Sequence, residues 1–408
     1  MRDARQRDAS GALPDGSPLT PPAREAHEIT RLREALICKL TRQSTLTDAR
    51  IADALRAVPR HSFVPEASLQ RSYEDSVVPV KHVGDELVST LSQPSAIVVM
   101  LEQLQVQDGM RVLEIGTGTG YNAALLAALA GPKGKVTTVD IDEDLSRHAE
   151  IVLDRLGYST VHVQTGDGFL GVPEHAPYDR IELSVATPAI SPAWTSQLVD
   201  GGLFVGPIRV KGMQFLTPAF RKNGAQLVSE SIHACHFVPM RGSRTANIST
   251  YRLPVRPNLR FVWESPDEFP AGLLTRILRQ ERKVLDEVPV SWPAAAYILL
   301  TNEAAFYTES TDGRVHGIAI LDRDSESLAS VISSSDGWGA AAIVMYGGEG
   351  ARRRLAHSID AWARNGRPGI DALRLTAVPS PGPEKLGPRA QLIRQPYYDL
   401  IASYEISH

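Results

Sequence analysis

The stretch Val112-Leu-Glu-Ile-Gly-Thr-Gly-Thr-Gly-Tyr121 decides the fold of this chain. Its first part, within the apolar residues 111–115, predicts a strand that runs directly into three glycines at alternate positions. The Ala/Leu-rich residues 123–130 that follow predict a helix. Because glycine lets the backbone turn tightly and lie close against a ligand, this strand, turn and helix predict a nucleotide-type pocket.

The spacing of the glycines separates this turn from a dinucleotide site. A dinucleotide site has the pattern G-x-G-x-x-G and places a helix N-terminus against a pyrophosphate. Here the pattern is G-x-G-x-G, preceded by the acidic Glu114. It resembles the motif of S-adenosylmethionine-dependent methyltransferases, whose cofactor carries an amino acid and a sulfonium instead of phosphates. A glycine-rich turn without a ligand is the alternative that the motif alone leaves open.

Two acidic residues behind later strands favour a bound cofactor. Residues 136–140 predict a strand that ends in Asp140, where a carboxylate can accept both ribose hydroxyls. Residues 161–164 predict a third strand, and the loop after it contains Asp167, which can accept from an adenine amino group. Taken singly, Asp140 could be a solvated strand end and Asp167 a turn residue. Three motifs in the correct order on successive strand ends make a cofactor pocket the better interpretation.

Composition describes a globular chain. It has 408 residues, 43% hydrophobic and 22% charged, which is enough for two domains with large cores. The net charge of −4 predicts no general affinity for nucleic acid. The two cysteines form no disulfide framework, and no Cys/His cluster has the spacing of a metal site, so no metal is expected. We see no apolar leader or membrane-spanning run, and we therefore expect a cytoplasmic protein without membrane contact.

The pattern along the chain predicts a tail and a catalytic domain. Residues 1–27 are rich in Arg, Asp, Pro, Gly and Ser and predict a flexible tail. Residues 28–245 form the predicted catalytic domain, which begins with two helices, the second capped by Thr47 or Asp48. After an irregular segment, strands and helices alternate over residues 111–210, as expected for an α/β, Rossmann-like fold with a mostly parallel sheet. Residues 226–239 predict an antiparallel edge.

The rest of the chain predicts an accessory domain. Residues 246–257 are interpreted as a linker, and residues 258–408 as a separate α+β domain for substrate-peptide recognition or oligomerisation. The predicted helices of this domain span residues 269–288 and 349–365. Its predicted strands span residues 297–300, 306–309, 317–321 and 340–345.

Four blocks of sequence resemble the protein L-isoaspartate O-methyltransferases, over roughly residues 29–242. They are Ala57-Val-Pro-Arg60 with Phe63-Val-Pro65, then Thr90-Leu-Ser-Gln-Pro94, then the glycine segment with Gly166-Asp-Gly168, Gly171 and Pro177-Tyr-Asp-Arg-Ile181, and last Phe237-Val-Pro-Met240. Many methyltransferases share the glycine segment. The Ser-Gln-Pro loop together with both Phe-Val-Pro blocks is specific to this family.

The resemblance implies a class I S-adenosylmethionine-dependent fold with N-terminal helices. It implies S-adenosyl-L-methionine as the cofactor, S-adenosyl-L-homocysteine as the product, and a peptide or protein bearing Asp or isoAsp as the partner. The implied cofactor-binding residues are Thr90, Leu91, Glu114, Gly116, Thr117, Gly118, Gly120, Tyr121, Asp140, Ile141, Gly166, Asp167 and Gly168.

The resemblance also implies that Ser92 is catalytic, beside the transferable methyl and the acceptor carboxylate. The alternative is that Ser92 caps a helix starting near Pro94, and both roles can hold together. Ser184 and Val185 are the further implied substrate contacts. Ser184 could equally be a satisfied residue at a strand end.

The chain departs from the family pattern in two places. Residues 80–89 are about twice as long as the segment usual before the Ser-Gln-Pro loop, and the chain continues for more than 160 residues after Met240. This long form resembles the methyltransferases of FxLD-type lanthipeptide systems, which are thought to methylate an aspartate of one peptide that then closes to a succinimide and opens to isoaspartate.

The long form makes tailoring of a ribosomally made peptide our first interpretation, and general isoaspartate repair the alternative. A non-catalytic S-adenosylmethionine-binding protein is an alternative of another class, which the intact Ser92, Glu114, Asp140 and Asp167 disfavour. Methylation of a small molecule or nucleic acid is disfavoured by the acidic balance and the family blocks. A homodimer is left open.

Overall fold

The fold is known from a computed structural model. It describes residues 23–242, 251–256, 259–263, 270–288, 290–310, 316–334, 337–387 and 390–405. Most of the predicted tail and the first part of the predicted linker lie outside these ranges. Residues 23–27, which we predicted as tail, belong to the first helix, and none of the described helices is long and apolar enough to cross a lipid bilayer.

The helices and strands of the described residues are numbered in chain order. The helices are α1 (Ala23–Arg42), α2 (Ala49–Ala57), α3 (Leu69–Ser72), α4 (Pro94–Leu104), α5 (Tyr121–Ala130), α6 (Glu143–Arg155), α7 (Pro192–Gln197), α8 (Ala271–Leu278), α9 (Trp292–Thr301) and α10 (Gly350–Arg364). Short 3-10 turns occur at Arg60–Phe63, Gly168–Leu170, Pro173–His175 and Ile370–Ala372. The strands before the predicted linker are β1 (Val78–Val83), β2 (Glu86–Leu91), β3 (Arg111–Ile115), β4 (Lys135–Asp140), β5 (Val161–Thr165), β6 (Tyr178–Leu183), β7 (Leu198–Val205), β8 (Ile208–Val210), β9 (Met213–Asn223) and β10 (Gln226–Ala234). The later strands are β11 (Tyr251–Arg256), β12 (Leu259–Trp263), β13 (Arg282–Val288), β14 (Ala305–Ser310), β15 (His316–Asp322), β16 (Ser327–Ser334), β17 (Gly337–Tyr346), β18 (Leu373–Pro379), β19 (Ala390–Ile393) and β20 (Tyr398–Tyr404).

The main sheet has a parallel centre, as predicted. Strands β5, β4, β3, β6 and β7 pair in parallel, and β9 and β10 follow in antiparallel pairing. Helix α5 packs against this sheet and is buried on almost every side, consistent with its run of alanines and leucines. Because the chain crosses from β3 to either side of the sheet, the carboxyl ends of β3 and β6 flank a crevice, the usual ligand position in such folds.

Helices α2 and α6 begin at side-chain caps. Asp48 accepts a hydrogen bond from the Arg50 amide, so Asp48 is the cap of the two residues that we considered. Asp142 accepts from the amide of Leu145 and starts α6 immediately after β4. This cap fixes the loop that carries Asp140.

Part of the C-terminal region belongs to the same sheet as the predicted catalytic domain. Strands β18, β20 and β19 extend the main sheet beyond β10, so part of the predicted accessory domain completes the catalytic sheet. One hydrophobic core contains Leu113 and Phe204 from the central strands of the main sheet, Leu375 from β18 of the same sheet, and Val331 from the second sheet. The predicted boundary therefore does not coincide with a boundary of the core. Local sequence signals could not reveal it, because the pairing of β10 with β18 joins residues far apart in the chain.

The second sheet is antiparallel, with the strand order β11-β12-β14-β15-β16-β17-β13. Strand β11 lies within the predicted linker, which is wrong for residues 251–256. The helix predicted over residues 269–288 ends at Leu278, and β13 follows as an edge strand paired with β17. The strand predicted at residues 297–300 is instead part of α9, which Ser291 caps; a short, wholly buried apolar run does not distinguish the two.

Candidate active site

A cavity at the carboxyl ends of β3, β4 and β6 brings most of the predicted site together. Its walls are the glycine loop, the end of β2, and the segment after β10. The predicted residues that line it are Thr90, Leu91, Ser92, Glu114, Gly116, Thr117, Gly118, Tyr121, Asp140, Ile141, Gly168, Ser184 and Val185. We call it the cofactor cavity.

The glycine loop needs its glycines for two different reasons. Gly116 has φ of +99°, and a Cβ there would lie 2.9 Å from the Val185 side chain, so a larger residue would block the floor of the cavity. Gly120 has φ of +86°, and its Cβ would lie 3.1 Å from the Ala149 Cβ on α6. Gly120 does not line the cavity, and its lack of a side chain lets α5 begin close against α6. Its contact with the cofactor stays a prediction.

Asp140 is held in place by the backbone. Its Oδ2 accepts from the Gly118 amide over 2.9 Å, and its Oδ1 accepts from the Asp142 amide over 3.0 Å. Burial raises the pKa of Asp140, and the two amide bonds oppose that rise by favouring the carboxylate. Each carboxylate oxygen has a further lone pair, so Asp140 can accept hydrogen bonds from a diol in the cavity.

Glu114 lies in the floor of the cavity and is completely buried. Its carboxylate accepts hydrogen bonds from Asn122 Nδ2 at 2.8 Å, Thr138 Oγ1 at 2.6 Å and Ser184 Oγ at 3.3 Å. Three protein donors thus surround Glu114. We infer that Glu114 influences a bound cofactor indirectly, by its negative charge in the cavity floor and by orienting the Asn122 amide.

Asp167 and Gly166 do not line the cavity. Asp167 accepts from the amide of Phe169 and caps the 3-10 turn, and its carboxylate lies against Gly242, where an added Cβ would come within 2.7 Å. The expected contact of Asp167 with adenine stays a prediction, since the side chain faces the segment after β10.

Ser92 does not cap α4. The cap position of this helix is Gln93, without a side-chain cap bond, and the amide of Ser95 donates to Asp75 Oδ1 over 2.9 Å. Because another side chain serves the helix terminus, the half-buried Ser92 is left to face the cavity. The capping alternative is therefore wrong.

A second cavity lies on the other side of Ser92, and we call it the acceptor groove. Thr90, Ser92, Val238 and Pro239 line both this groove and the cofactor cavity. Its other walls come from the hairpin β1–β2, α4 and the end of β10, with Glu86, Leu87, Ala96, Val99, His236 and Phe237 among them. Ser92 thus stands where a methyl donor on one side and an acceptor on the other would meet.

The long segment at residues 80–89 forms most of the hairpin β1–β2. Lys81 Nζ lies 2.7 Å from a carboxylate oxygen of Asp142 and 3.3 Å from Asp144 Oδ2, so the hairpin is tied to the loop after β4. The hydrogen bond to Asp142 raises the pKa of Lys81. The insertion therefore shapes the walls of both cavities, which no local pattern in residues 80–89 indicated.

Sequence reasoning missed several lining residues. Ser89, Asn122 and Arg241 line the cofactor cavity, and the Arg241 guanidinium lies 3.7 Å from Asp142 Oδ2. Asn122 follows the quoted glycine stretch directly, and an amide in the first turn of an otherwise apolar helix was the available signal. Arg241 adjoins a family block, but nothing in its neighbours indicated a contact with the loop after β4.

The residues of the cavity fit S-adenosylmethionine. Asp140 offers lone pairs to a ribose diol, as described above. The buried amide oxygen Oδ1 of Asn122 has no hydrogen-bond donor among the described residues, and a ligand ammonium would supply one. With the acidic floor at Glu114, this set of hydrogen-bond acceptors suits a ligand that carries a diol, an ammonium and a further positive charge.

Comparisons with known proteins agree with this geometry. Residues 31–245 match the model of the family described as protein-L-isoaspartate(D-aspartate) O-methyltransferase. A protein-L-isoaspartate O-methyltransferase of Methanococcoides burtonii is 39% identical over 198 residues, which cover 48% of this chain and 94% of the relative. One of Dictyoglomus turgidum is 38% identical over 210 residues, covering 52% and 91%.

A solved protein-L-isoaspartate O-methyltransferase aligns with a TM-score of 0.50 at 28% identity. The alignment covers 84% of this chain and 96% of the solved chain. The 257 residues before the predicted accessory domain make up less than two thirds of the 408. An alignment that covers 84% of the chain must therefore extend into the C-terminal region. The chain therefore belongs to the protein-L-isoaspartate(D-aspartate) O-methyltransferase family, whose members are S-adenosylmethionine-dependent carboxyl methyltransferases.

Proposed function

We propose that this enzyme repairs proteins generally, by methylating the carboxyl group of isoaspartyl residues in many different peptides. The position of Ser92 in the walls of both cavities is the observation that carries the proposal. A hydroxyl there can donate to the acceptor carboxylate while backbone of Thr90 and Leu91 forms the rest of the wall.

Methyl transfer to a carboxylate does not require a titratable group of the protein to accept or donate a proton. A carboxylate acceptor is already ionised near neutral pH, so no general base has to remove a proton from it. When bound, S-adenosylmethionine supplies an electrophilic methyl group on a sulfonium. The chain has to orient the acceptor at Ser92 and to exclude water from it. The hairpin β1–β2 and residues 238–241 line the cavity and are placed to do so.

The C-terminal region is consistent with repair. Tailoring of a single peptide was our first interpretation because the chain is long, but a solved isoaspartate methyltransferase aligns beyond residue 257 as well. The extra length therefore does not favour tailoring, and the relatives of Methanococcoides burtonii and Dictyoglomus turgidum are described as protein-L-isoaspartate O-methyltransferases. General repair is the better supported substrate range.

The deciding experiment uses matched peptides of unrelated sequence. Each pair carries isoaspartate or aspartate at one position, and mass spectrometry measures the gain of one methyl group with S-adenosylmethionine present. We expect methylation of the isoaspartyl member in most pairs and little in the aspartyl member. Strong preference for aspartate in one sequence, with the other pairs inert, would support tailoring and contradict our proposal.

A further inference from the structure

Two buried carboxylates lie side by side beneath the cofactor cavity. Glu114 of β3 and Glu182 of β6 are direct partners in the parallel register of the main sheet. Their exposures are 0% and 1%. Asn122 Nδ2 donates to both of them, to Glu114 Oε1 over 2.8 Å and to Glu182 Oε2 over 3.0 Å. One amide group therefore joins the two acids, and we call this the carboxylate pair.

The described elements around the pair bring no cation against it. Helix α5 contains no charged residue, and Tyr121, its one titratable group, contacts Arg60. On α4 the only charged residue is Glu102, which binds the amides of Thr47 and Asp48.

The flanking strands add little charge. Of the charged residues on β4, Asp140 is negative and raises the pKa of Glu114 further, and Lys135 is at the other end of the strand. On β6, the Arg180 guanidinium binds the carbonyls of Leu104 and Gln105. The Arg111 guanidinium on β3 donates to carbonyls of Pro177 and His175, and Asp200 on β7 accepts from Gly224.

Without a cation, two adjacent buried carboxylates cannot both ionise easily, so they share a proton. Burial raises the pKa of Glu114 to about 7 and, together with the charge of Glu114, that of Glu182 to about 8. The proton therefore resides on the pair near neutral pH.

Only one member of the pair faces the ligand side. Glu114 and Asn122 line the cofactor cavity, whereas Glu182 lies behind them. A positive charge in the cavity would interact with Glu114 across a low-dielectric region, where such interactions are strong. The pair is thus placed to respond to the charge of whatever occupies the cavity.

We propose that the carboxylate pair is a charge sensor that releases a proton when the sulfonium form of the cofactor binds and regains it when the uncharged thioether product takes its place. The proposal rests on the proposed function, because it needs a methyl donor in this cavity. Both ligands carry the same amino acid, so the sulfonium is the difference that the pair detects. The consequence is that the ratio of the two affinities depends on pH.

The sign of the pH dependence follows from linkage. A cation favours the ionised pair, so its binding releases a proton at any pH where the free pair is still protonated. The affinity for S-adenosylmethionine relative to S-adenosylhomocysteine should therefore rise with pH from about 6 to about 8, by up to roughly tenfold per pH unit. Above that range the free pair is already ionised and the ratio should level off.

Calorimetry measures the released protons directly. We would titrate the full chain with S-adenosylmethionine and, separately, with S-adenosylhomocysteine at pH 7.0, in buffers with different enthalpies of ionisation. The dependence of the observed heat on the buffer gives the number of protons released. We expect the sulfonium ligand to release more, with a difference of at most about one proton per site. Equal proton numbers for the two ligands would overturn the proposal.

A variant and its control test the assignment to this pair. Glu182→Gln keeps the shape and removes one acid, and should reduce the difference between the ligands by about half or more. Glu150→Gln, at an exposed position on α6, should leave it unchanged. If Glu182→Gln behaves as the parent protein, the pair is not the sensor; if it fails to fold, the two-ligand comparison on the parent protein still decides. Failure of S-adenosylmethionine to bind at all would contradict the proposed function itself.

Discussion

Arg60 donates from Nη2 to the backbone carbonyl of Ser92 over 2.8 Å, from a side chain that is 1% exposed. Its Nε donates to the carbonyl of Ser72, and its guanidinium carbon lies 4.9 Å from the centre of the Tyr121 ring. Arg60 therefore fixes the loop that presents Ser92 from behind, although it does not line either cavity. Arg60 belongs to the first of the four family blocks, and these contacts give it a positioning role at the site.

Arg60→Lys should lower kcat/KM for an isoaspartyl peptide by about tenfold while changing the Kd of S-adenosylhomocysteine little. A lysine cannot span both carbonyls as the fork of arginine does, and each carbonyl left without a donor costs about 1–3 kcal/mol. Steady-state kinetics and calorimetry separate the two effects. Arg56→Lys, an exposed ion-pair residue, is the control. Equal losses in catalysis and cofactor binding would mean that Arg60 only stabilises the fold.

Ser92→Ala should slow methyl transfer and leave cofactor binding nearly intact, because Ser92 lines the groove in which we place the acceptor. We expect the single-turnover rate to fall by roughly tenfold or more, in line with the loss of a hydrogen bond to a charged group. Mass spectrometry of a quenched isoaspartyl peptide gives the rate. The exposed Ser196→Ala provides the control, and transfer at the parent rate by Ser92→Ala would remove Ser92 from the mechanism.

Asp140→Ala should weaken binding of S-adenosylhomocysteine by about 2 kcal/mol, or roughly thirtyfold in Kd, because in our proposal this carboxylate accepts from two ribose hydroxyls. Isothermal titration gives the constant. Asp144→Ala removes a nearby but exposed carboxylate and should have little effect. An unchanged Kd in Asp140→Ala would place the ribose contact elsewhere.

Lys81→Met should speed the release of S-adenosylhomocysteine by up to about fivefold, because it cuts the tie between the hairpin β1–β2 and Asp142. A partly exposed ion pair contributes about 1 kcal/mol at most, and salt screens it. Stopped-flow fluorescence at low and high salt tests this, with Lys133→Met as an exposed control. The difference from the parent protein should shrink at high salt; a release rate equal to that of the parent at low salt would show that the hairpin is held by other contacts.

Leu375→Ala should destabilise the whole protein by about 2–5 kcal/mol, since Leu375 is fully buried in the core shared by both sheets. Calorimetric unfolding should show a single transition, and S-adenosylhomocysteine should raise its midpoint temperature. The exposed Leu170→Ala should change stability by less than about 0.5 kcal/mol. The opposite result would be two transitions, with the ligand raising the midpoint temperature of only one and Leu375→Ala leaving that one unchanged. Such a result would support a separate C-terminal domain.

The sequence allowed the centre of the sheet to be predicted because its signals are local. Strand β3, the glycine loop, α5 and the end of β4 follow one another within 30 residues, and each has its own pattern. The pairing of β10 with β18 has no local signal, and the edge strand β13 was predicted as part of a helix because its apolar residues also fit that spacing. The site was predicted at its glycines, at Ser92 and at Asp140. Glu182 was missed because its position beside Glu114 follows from the register between β6 and β3, and the sequence of β6 carries no local signal of that pairing.

The register between β10 and β18 also has a consequence for the synthesis of the protein. Strand β10 ends at Ala234 and β18 begins at Leu373, so 138 residues leave the ribosome between them. At usual translation speeds that interval lasts roughly ten seconds. During this time the nascent catalytic half carries an open strand edge, the kind of surface that templates aggregation. A message truncated before β18 would leave the outer edge of β10 unpaired in this chain, and we expect that fragment to aggregate more readily than the full chain.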